Sequence, residues 1–218
     1  MSDTRTPATA ADARRAELVP TLARAFADLG YAGATTAALA RACKLRENQL
    51  YRLWPSKKAM FLATLDYLYE METRWWRDRL AEAEHDPAAA ARAILDEEGR
   101  RRGETGLHRI IFAGLHEADD PDVRHAMAQM YQRFHKFIAH VLRRSQTPGS
   151  TATASGHGVE NSGGGVTPHL GAWALIAFAT FSNIARELDL FPVSTQRRLM
   201  AEAGGLLTNL PPKNKTKK

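Results

Sequence analysis

Apolar residues recur every three or four positions along most of the chain, which is the spacing of one face of an α-helix. The pattern predicts a first helix that ends at Gly30 and whose inner face carries Leu18, Val19, Leu22, Ala25, Phe26 and Leu29. Pro20 lies inside this helix and removes one backbone hydrogen bond. The helix therefore either kinks at Pro20 or becomes regular only shortly before it.

Two short helices joined by a tight turn are predicted directly after the first helix. Thr36 is a favoured N-cap residue, and the helix that it begins has an apolar face formed by Leu39, Ala40 and Cys43. The chain must turn at Lys44. The second short helix, residues 47–53, has an apolar stripe formed by Leu50, Leu53 and Trp54. Its other side chains are polar, which predicts one face packed on a core and one face available for hydrogen bonding.

The start of a third, longer helix carries two consecutive cations. Pro55 ends the preceding helix, Ser56 can cap the new one, and Lys57 and Lys58 fall in its first turn. The helix dipole disfavours cations there unless an anion is near, and a nucleic-acid phosphate would supply one. Residues 1–60 contain ten Lys or Arg against five Asp or Glu, so this segment holds most of the chain's net charge of +6. An anionic partner and salt-dependent binding are expected.

In this region the sequence resembles the TetR family of bacterial transcriptional repressors. The matching positions are, in order, Gly30-Tyr31, Thr35-Thr36, Leu39-Ala40, Leu45, Leu50-Tyr51, Trp54 and Ser56-Lys57-Lys58. The resemblance is specific over residues 14–65. It implies an all-α chain in which an N-terminal three-helix helix-turn-helix head binds DNA. A larger helical-bundle domain would bind a ligand and dimerise.

The resemblance also implies which residues meet double-stranded DNA. In the family the short third helix enters the major groove, so bases or the nearby backbone would be faced by Arg46, Glu47, Asn48, Gln49 and Arg52. Phosphates would be contacted by Thr36, Tyr51 and Lys57. Arg46 and Asn48 stand where the family commonly has a small hydroxyl residue and a glycine, and they add side chains able to reach DNA. Lys44 replaces a small turn residue, so either it accepts a left-handed conformation or the turn differs.

The remaining sequence predicts a body of helices between residues 61 and 210, after an arm at 1–11 and a DNA-binding domain at 12–60. The helix that begins after Ser56 is expected to continue to about Glu84, and another is expected from Pro87 to about Arg102. A short buried segment follows, and its apolar residues are Leu107, Ile110, Ile111, Ala113, Gly114 and Leu115. The run Asp119-Asp120-Pro121-Asp122 fits a helix start better than a metal site. The long helix that follows has its more outward side formed by His125, His135, Lys136, His140, Arg143 and Arg144. A flexible loop at 145–167 and a basic tail at 211–218 complete the organisation.

The helix that begins at Pro168 is apolar on both sides. One side carries Leu170, Trp173, Ala174, Ala177, Phe178, Phe181, Ile184, Ala185 and Leu188, and the other carries Gly171, Ala172, Leu175, Ile176 and Ala179. Such a helix needs cover on both sides. One side is expected to pack on its own body, and the side with small residues to meet a partner chain. With the resemblance, this implies a homodimer through helices 168–190 and 194–210, and hence a palindromic operator.

The resemblance further implies a pocket for a small-molecule effector. The candidate lining residues are Trp75, Trp76, His108, Phe112, His116, Met127, Met130, Tyr131, Phe134, Trp173, Phe178 and Phe181. Each of them also fits an ordinary core position. As a group they indicate an apolar or aromatic effector, with His108 or His116 as a polar handle. No cofactor and no metal site is expected.

Composition and motifs narrow the class of protein. The 218 residues are 44% hydrophobic and 25% charged, which fits a folded chain with a substantial core. Residues 1–12 lack the apolar run of a secretory signal and residues 170–185 are too few to span a bilayer, so a cytoplasmic protein is expected. Because no catalytic motif such as HExxH, a P-loop or a serine elbow occurs, an enzyme is not expected.

The lone Cys43 is interpreted as a core residue, with a thiol sensor as the alternative. A non-specific architectural DNA binder and an activator of the same architecture remain alternative functions.

Overall fold

The computed structural model describes residues 9–82, 106, 108–146, 166–195, 198–199 and 201–202. These residues form seven α-helices, which are α1 (Ala10–Gly33), α2 (Thr36–Ala42), α3 (Glu47–Leu53), α4 (Lys57–Glu82), α5 (Arg109–His116), α6 (Pro121–Gln146) and α7 (Pro168–Glu187). The described part of the chain contains no strand, and the predicted all-α fold is confirmed. The predicted helix at 87–102, most of the predicted loop and the basic tail lie outside the described residues.

The chain divides into two compact units. The first unit comprises residues 1–72 and 104–131, and the second comprises residues 73–103 and 132–218. The first unit therefore holds α1, α2, α3 and α5 with the N-terminal parts of α4 and α6. The second holds the remaining parts of α4 and α6 together with α7. Within the described ranges, no helix combines the length and the apolar character that crossing a membrane requires.

Helix α1 is regular well before its proline. Thr9 caps it, because the Thr9 hydroxyl accepts from the backbone N–H of Asp12 at 3.1 Å, and the helix begins at Ala10. Gly30, with φ 68°, is the residue inside α1 that leaves helical geometry. The start at Ala10 excludes the alternative in which the helix becomes regular only shortly before Pro20, and the break in helical geometry lies at Gly30, not at Pro20. Leu18, Leu22, Ala25 and Phe26 are buried as predicted, whereas Leu29 is 48% exposed, so its assignment to the inner face was wrong. Leu29 directly precedes the Gly30 break.

The turn between α2 and α3 is a Schellman motif with Lys44 in the left-handed conformation. Lys44 has φ 54°, its N–H donates to Arg41 O at 3.0 Å, and the N–H of Leu45 donates to Ala40 O at 2.9 Å. The alternative left open at Lys44 is thereby decided in favour of a left-handed residue. Thr35, not Thr36, is the N-cap of α2, because the Thr35 hydroxyl accepts from the N–H of Ala38 at 3.2 Å.

The core of the first unit holds α1, α2, α3 and the start of α4 together. Its fully buried large side chains include Leu22, Phe26, Leu39, Leu50, Met60 and Phe61. The rings of Phe26 and Tyr31 each meet Phe61 edge-on, with centroids 5.1 Å apart in both pairs. Cys43 is buried, as interpreted from the sequence, and burial raises the pKa of its thiol. A raised thiol pKa disfavours the reactive thiolate.

Helix α5 buries only part of the apolar segment from which it forms. Ile110 and Gly114 are buried, but Leu115 is 50% exposed, so the prediction of a wholly buried segment was wrong. Successive helical residues point about 100° apart, so that Leu115 leaves the face that Gly114 occupies. Gly114 allows close packing there, since an added Cβ would lie 2.6 Å from the Met127 sulfur of α6 and the Met127 side chain would have to shift.

The second unit has its own core around α6 and α7. Its buried members are Trp76, Ile138, Ala139, Leu142 and Ala172. His135 was predicted to lie outside, but it is only 9% exposed. Its ring stacks on Trp173 with a centroid distance of 4.6 Å, and its Nε2 lies 3.1 Å from the carbonyl oxygen of His169. Contacts with α7 therefore cover this histidine.

Helix α7 packs through the face opposite to the one expected. The small residues Gly171 and Ala172 are buried within the chain, whereas the larger residues Leu170, Trp173, Phe181, Ile184 and Leu188 are 37–63% exposed. The assignment of the small-residue side to a partner chain was therefore wrong. Small side chains let α7 approach its own body closely, and this leaves the large apolar stripe outside. Helical residues also recur from Val193 to Glu202, where residues 196, 197 and 200 are not described.

Candidate nucleic-acid interface

The polar face of α3 forms a continuous exposed surface. We call it the α3 surface and define it as Arg46, Glu47, Asn48, Gln49, Tyr51 and Arg52, all of which are exposed. Leu50 and Trp54, which are 0% and 5% exposed, fix the opposite face of the helix in the core. Arg15 of α1 adds a polar anchor, because its Nε donates to Leu53 O at 2.7 Å. The apolar face of α3 is thus packed on the core, while its polar side chains face solvent.

Two side chains of the α3 surface already have intramolecular partners. The amide oxygen of Gln49 accepts the backbone N–H of Arg46 at 2.9 Å, which caps the N-terminus of α3. The hydroxyl of Thr36 in α2 donates to Glu47 Oε2 at 2.8 Å. Thr36 was expected to contact a phosphate, and the structure gives its hydroxyl this internal acceptor. The two bonds orient the side chains of Glu47 and Gln49 at the N-terminal end of α3. This is the end of the helix that is expected to enter the major groove.

The two lysines that begin α4 are held by different parts of the first unit. Lys57 Nζ donates to Tyr31 O at 3.0 Å and lies 4.3 Å from the centroid of the Tyr31 ring. Lys58 Nζ lies 3.0 Å from Asp120 Oδ2 and 2.6 Å from Asp122 Oδ2. The anion expected near this first turn is thus supplied, for Lys58, by the start of α6. The same Asp120 accepts the N–H of Asp122 at 2.9 Å, which confirms the capping interpretation of the acidic run.

The candidate effector residues fall into both units. His108, Phe112, His116, Met127, Met130 and Tyr131 belong to the first unit, and Trp75, Trp76, Phe134, Trp173 and Phe178 belong to the second. Trp76, His108, Met127 and Met130 are buried, while His116 and Trp173 are exposed. The structure brings His108 and Phe112 together, with ring centroids 6.1 Å apart. Phe181, also a candidate, is 46% exposed on α7.

Asn183 is a buried polar residue that was not among the candidate effector residues predicted from the sequence. Its side chain is only 2% exposed, and its Oδ1 atom has no hydrogen-bond partner among the described residues. Burying an amide without a partner costs roughly 1–3 kcal/mol. Its signal in the sequence is an amide within the mostly apolar run of residues 170–185.

Comparisons with known proteins agree on the head and on the fold. Residues 21–64 match the family described as bacterial regulatory proteins, tetR family. A TetR-family transcriptional regulator from Cytophaga hutchinsonii is 15% identical, with a TM-score of 0.69 over 96% of this chain and 98% of that one. Reduced NemR from E. coli is 16% identical, with a TM-score of 0.71 over 91% of this chain and 99% of NemR.

A third solved structure was determined with bound partners. AibR, in complex with isovaleryl coenzyme A and operator DNA, is 18% identical, with a TM-score of 0.59 over 91% of this chain and 99% of AibR. No curated protein sequence is significantly similar to the chain. At these identities the solved structures establish the fold, and the match over residues 21–64 identifies the head.

Proposed function

We propose that the chain, whose head matches the TetR family over residues 21–64, is a cytoplasmic, homodimeric transcriptional repressor that a small effector releases from a palindromic operator. The single observation that carries the DNA-binding part is the α3 surface. It is exposed, polar and backed by a rigid core, and it lies in the segment that matches the family. A helix held in this way is suited to insertion into the major groove.

Charge supports nucleic acid as the partner of this surface. Arg46 and Arg52 are exposed on α3, and Arg14 and Arg41 are exposed on the neighbouring α1 and α2. Cations that neutralise phosphates release counterions, so binding should weaken steeply as salt increases. Tyr51, 43% exposed, offers a hydroxyl for a further phosphate contact.

Binding of a labelled duplex that contains the operator tests the role of α3. Arg52→Ala is expected to weaken binding by roughly tenfold, as loss of a charged contact to DNA does. Arg124→Ala is the matched control, since Arg124 is also exposed but lies on α6. Equal affinities of the Arg52 and Arg124 variants at the same salt concentration would contradict the assignment of α3 as the recognition helix.

The exposed stripe of α7 supports a homodimer. Leu170, Trp173, Phe181, Ile184 and Leu188 recur at helical spacing on one side, and each is at least 37% exposed in the single chain. A contiguous apolar face of this kind is a usual mark of a protein–protein interface. We place this stripe at the dimer interface, so that the two-fold axis pairs two α3 surfaces. The repressor would then bind two half-sites in successive major grooves.

The buried amide of Asn183 supports the effector part of the proposal. A ligand with an N–H or O–H group would satisfy its Oδ1 atom, and a half-buried aromatic residue of the same helix, Phe178, would supply an apolar contact. AibR, which has a similar fold, was solved with both a ligand and operator DNA. In a thermal-shift screen, compounds that stabilise the wild type should stabilise Asn183→Leu less. Equal shifts in both proteins would remove Asn183 from the effector site.

A further inference from the structure

Glu47 is the acidic member of the α3 surface, where the approaching DNA backbone would repel a carboxylate. An exposed glutamate in a surface that binds phosphates weakens non-specific binding to every sequence. In the free protein Glu47 favours the N-terminus of α3 and accepts the Thr36 hydroxyl, and on DNA a hydrogen-bond donor on a base would offset its repulsion from phosphates. The position of Glu47 at the first residue of α3 places it in the part of a recognition helix that contacts base edges.

The Glu47 side chain is oriented from outside its own helix. Thr36, the first residue of α2, is half-buried, and its hydroxyl donates to Glu47 Oε2 at 2.8 Å. A hydroxyl has one proton, so this bond uses the only hydrogen that Thr36 can donate. Oε1 of Glu47 is then available, and the fixed rotamer lowers the entropy that an exposed glutamate would lose on binding.

Chemistry selects the base that this carboxylate can read. An ionised carboxylate only accepts hydrogen bonds, and cytosine presents a donor, its N4 amino group, in the major groove. Guanine presents acceptors at O6 and N7, and thymine presents O4, so both would repel the carboxylate. Adenine pairs a donor with an acceptor, which suits an amide such as Asn48 better. We propose that Glu47, positioned by Thr36, reads one cytosine in each half-site of the operator.

This inference rests on the proposed function and adds a repulsive element to it. With cytosine absent, the Glu47 carboxylate is left desolvated beside acceptors, which penalises the wrong sequence rather than only rewarding the right one. The amide oxygen of Gln49 accepts the Arg46 N–H at 2.9 Å, which directs that side chain toward the N-terminus of α3. Thr36 acts as a positioning residue, since it acts through Glu47.

The test uses the full chain and the operator that it selects. Each cytosine of the half-site is replaced in turn by thymine, with the paired guanine replaced by adenine, and binding is measured by fluorescence anisotropy. At one position the wild type should lose roughly tenfold or more in affinity. Glu47→Gln should abolish this preference at that position and shift it toward adenine. Its affinity for non-specific DNA should rise, because one repulsive charge is removed.

Thr36 provides the second arm of the experiment. Thr36→Val should reduce the preference for cytosine, whereas Thr36→Ser, which keeps the hydroxyl, should restore it. A preference that is unchanged in Glu47→Gln, or a Thr36→Val variant that weakens binding equally on every duplex, would overturn the inference while leaving the repressor function intact. If the wild type binds no duplex specifically, both the inference and the proposed function fail.

Discussion

At the scale of single residues, Lys44 holds the turn between α2 and α3 in a backbone conformation that favours glycine. Its φ of 54° lies in the left-handed region, where a Cβ atom costs roughly 1–2 kcal/mol. The Schellman hydrogen bonds of Leu45 and Lys44 to α2 hold the residue there despite this cost. The strain is local, and Lys44 is exposed, so it can be relieved without disturbing the core.

We expect Lys44→Gly to raise the free energy of unfolding by about 1 kcal/mol, because the relief of strain exceeds the added entropy of the unfolded chain. Lys44→Ala is the matched control, since it removes the same charge but keeps the Cβ atom. It should leave the free energy of unfolding within about 0.5 kcal/mol of the wild type. Urea unfolding of the three proteins measures both values. Equal stabilisation by Gly and Ala would mean that charge, not backbone strain, is responsible.

Single residues also show how far the sequence allows prediction. The spacing of apolar residues was enough to predict Leu22, Phe26 and Leu50 as core, because burial on a helix follows a fixed period. The choice between Thr35 and Thr36 as N-cap depends on where helical geometry begins, and adjacent hydroxyl residues do not reveal it. The hydrogen bond between Thr36 and Glu47 joins two helices across a turn. It could not be predicted from the sequence, because it depends on how the folded backbone brings the two helices together.

At the scale of helices, an ion pair joins the first turn of α4 to the start of α6. Lys58 lies 3.0 Å from Asp120 and 2.6 Å from Asp122, and Asp120 also caps α6. Lys57, one residue earlier, binds the carbonyl oxygen of Tyr31 in α1. Consecutive lysines thus attach the helix that follows the α3 surface to two other helices. We infer that this attachment helps to set the position of α3.

The ion pair should make stability depend on pH at both extremes. Hydrogen bonds from Lys58 hold the pKa of Asp120 below its ordinary value of 3.8, and hydrogen bonds to Asp122 and Asp120 hold the pKa of Lys58 above 10.5. A lowered carboxyl pKa stabilises the fold above 3.8, and this contribution is lost as the pH falls through the folded-state pKa. A raised lysine pKa stabilises the fold below 10.5, and this contribution is lost as the pH rises through the folded-state pKa.

We therefore expect Lys58→Met to lower the melting temperature near neutral pH, and the difference from the wild type to shrink below the pKa of Asp120 and in high salt. Lys136→Met is the control, because Lys136 is an exposed lysine of α6 that lies on the second unit. Thermal melts between pH 2 and pH 8 provide the measurement. A difference between Lys58→Met and the wild type that stays constant over this range would show that packing, rather than charge, links the two helices.

Helix positions were predicted better than helix orientations. Breakers and caps such as Pro55, Ser56 and Pro121 mark where helices begin and end, and these signals are local. For α7, both faces are apolar, so the pattern does not state which face is inward. The folded chain decides this through close approach of Gly171 and Ala172, which are both buried. The Lys58 ion pair joins residues more than sixty positions apart, as the separation of 62 from Asp120 shows, and local patterns carry no information about it.

At the scale of the whole molecule, the exposed stripe of α7 predicts the oligomeric state. Phe181→Glu should convert the dimer to a monomer at micromolar concentration, because association would bury an unpaired carboxylate at a cost of several kcal/mol. Leu115→Glu is the matched control, since Leu115 is 50% exposed on α5 and outside the stripe. Light scattering coupled to gel filtration measures the mass of each protein. A monomeric wild type, or equal masses for the two variants, would contradict the interface.

Loss of the dimer should also weaken DNA binding, because a monomer contacts one half-site. Linked half-sites gain affinity through the effective concentration of the second head.

The all-α fold and the family that the head resembles were predicted from motifs in residues 14–65. The burial of Asn183 was not predicted, because it depends on packing between helices that are distant in the chain.

We propose that the α3 surface makes this chain a sequence-specific dimeric DNA-binding regulator. Selection of bound sequences from a random DNA pool, with the purified full chain at near-physiological salt, tests it most directly. We expect enrichment of a palindrome whose half-sites are centred about one helical turn apart. Salt-sensitive binding without any enriched sequence would contradict it and favour an architectural DNA-binding protein. No binding to any duplex would remove the claim entirely.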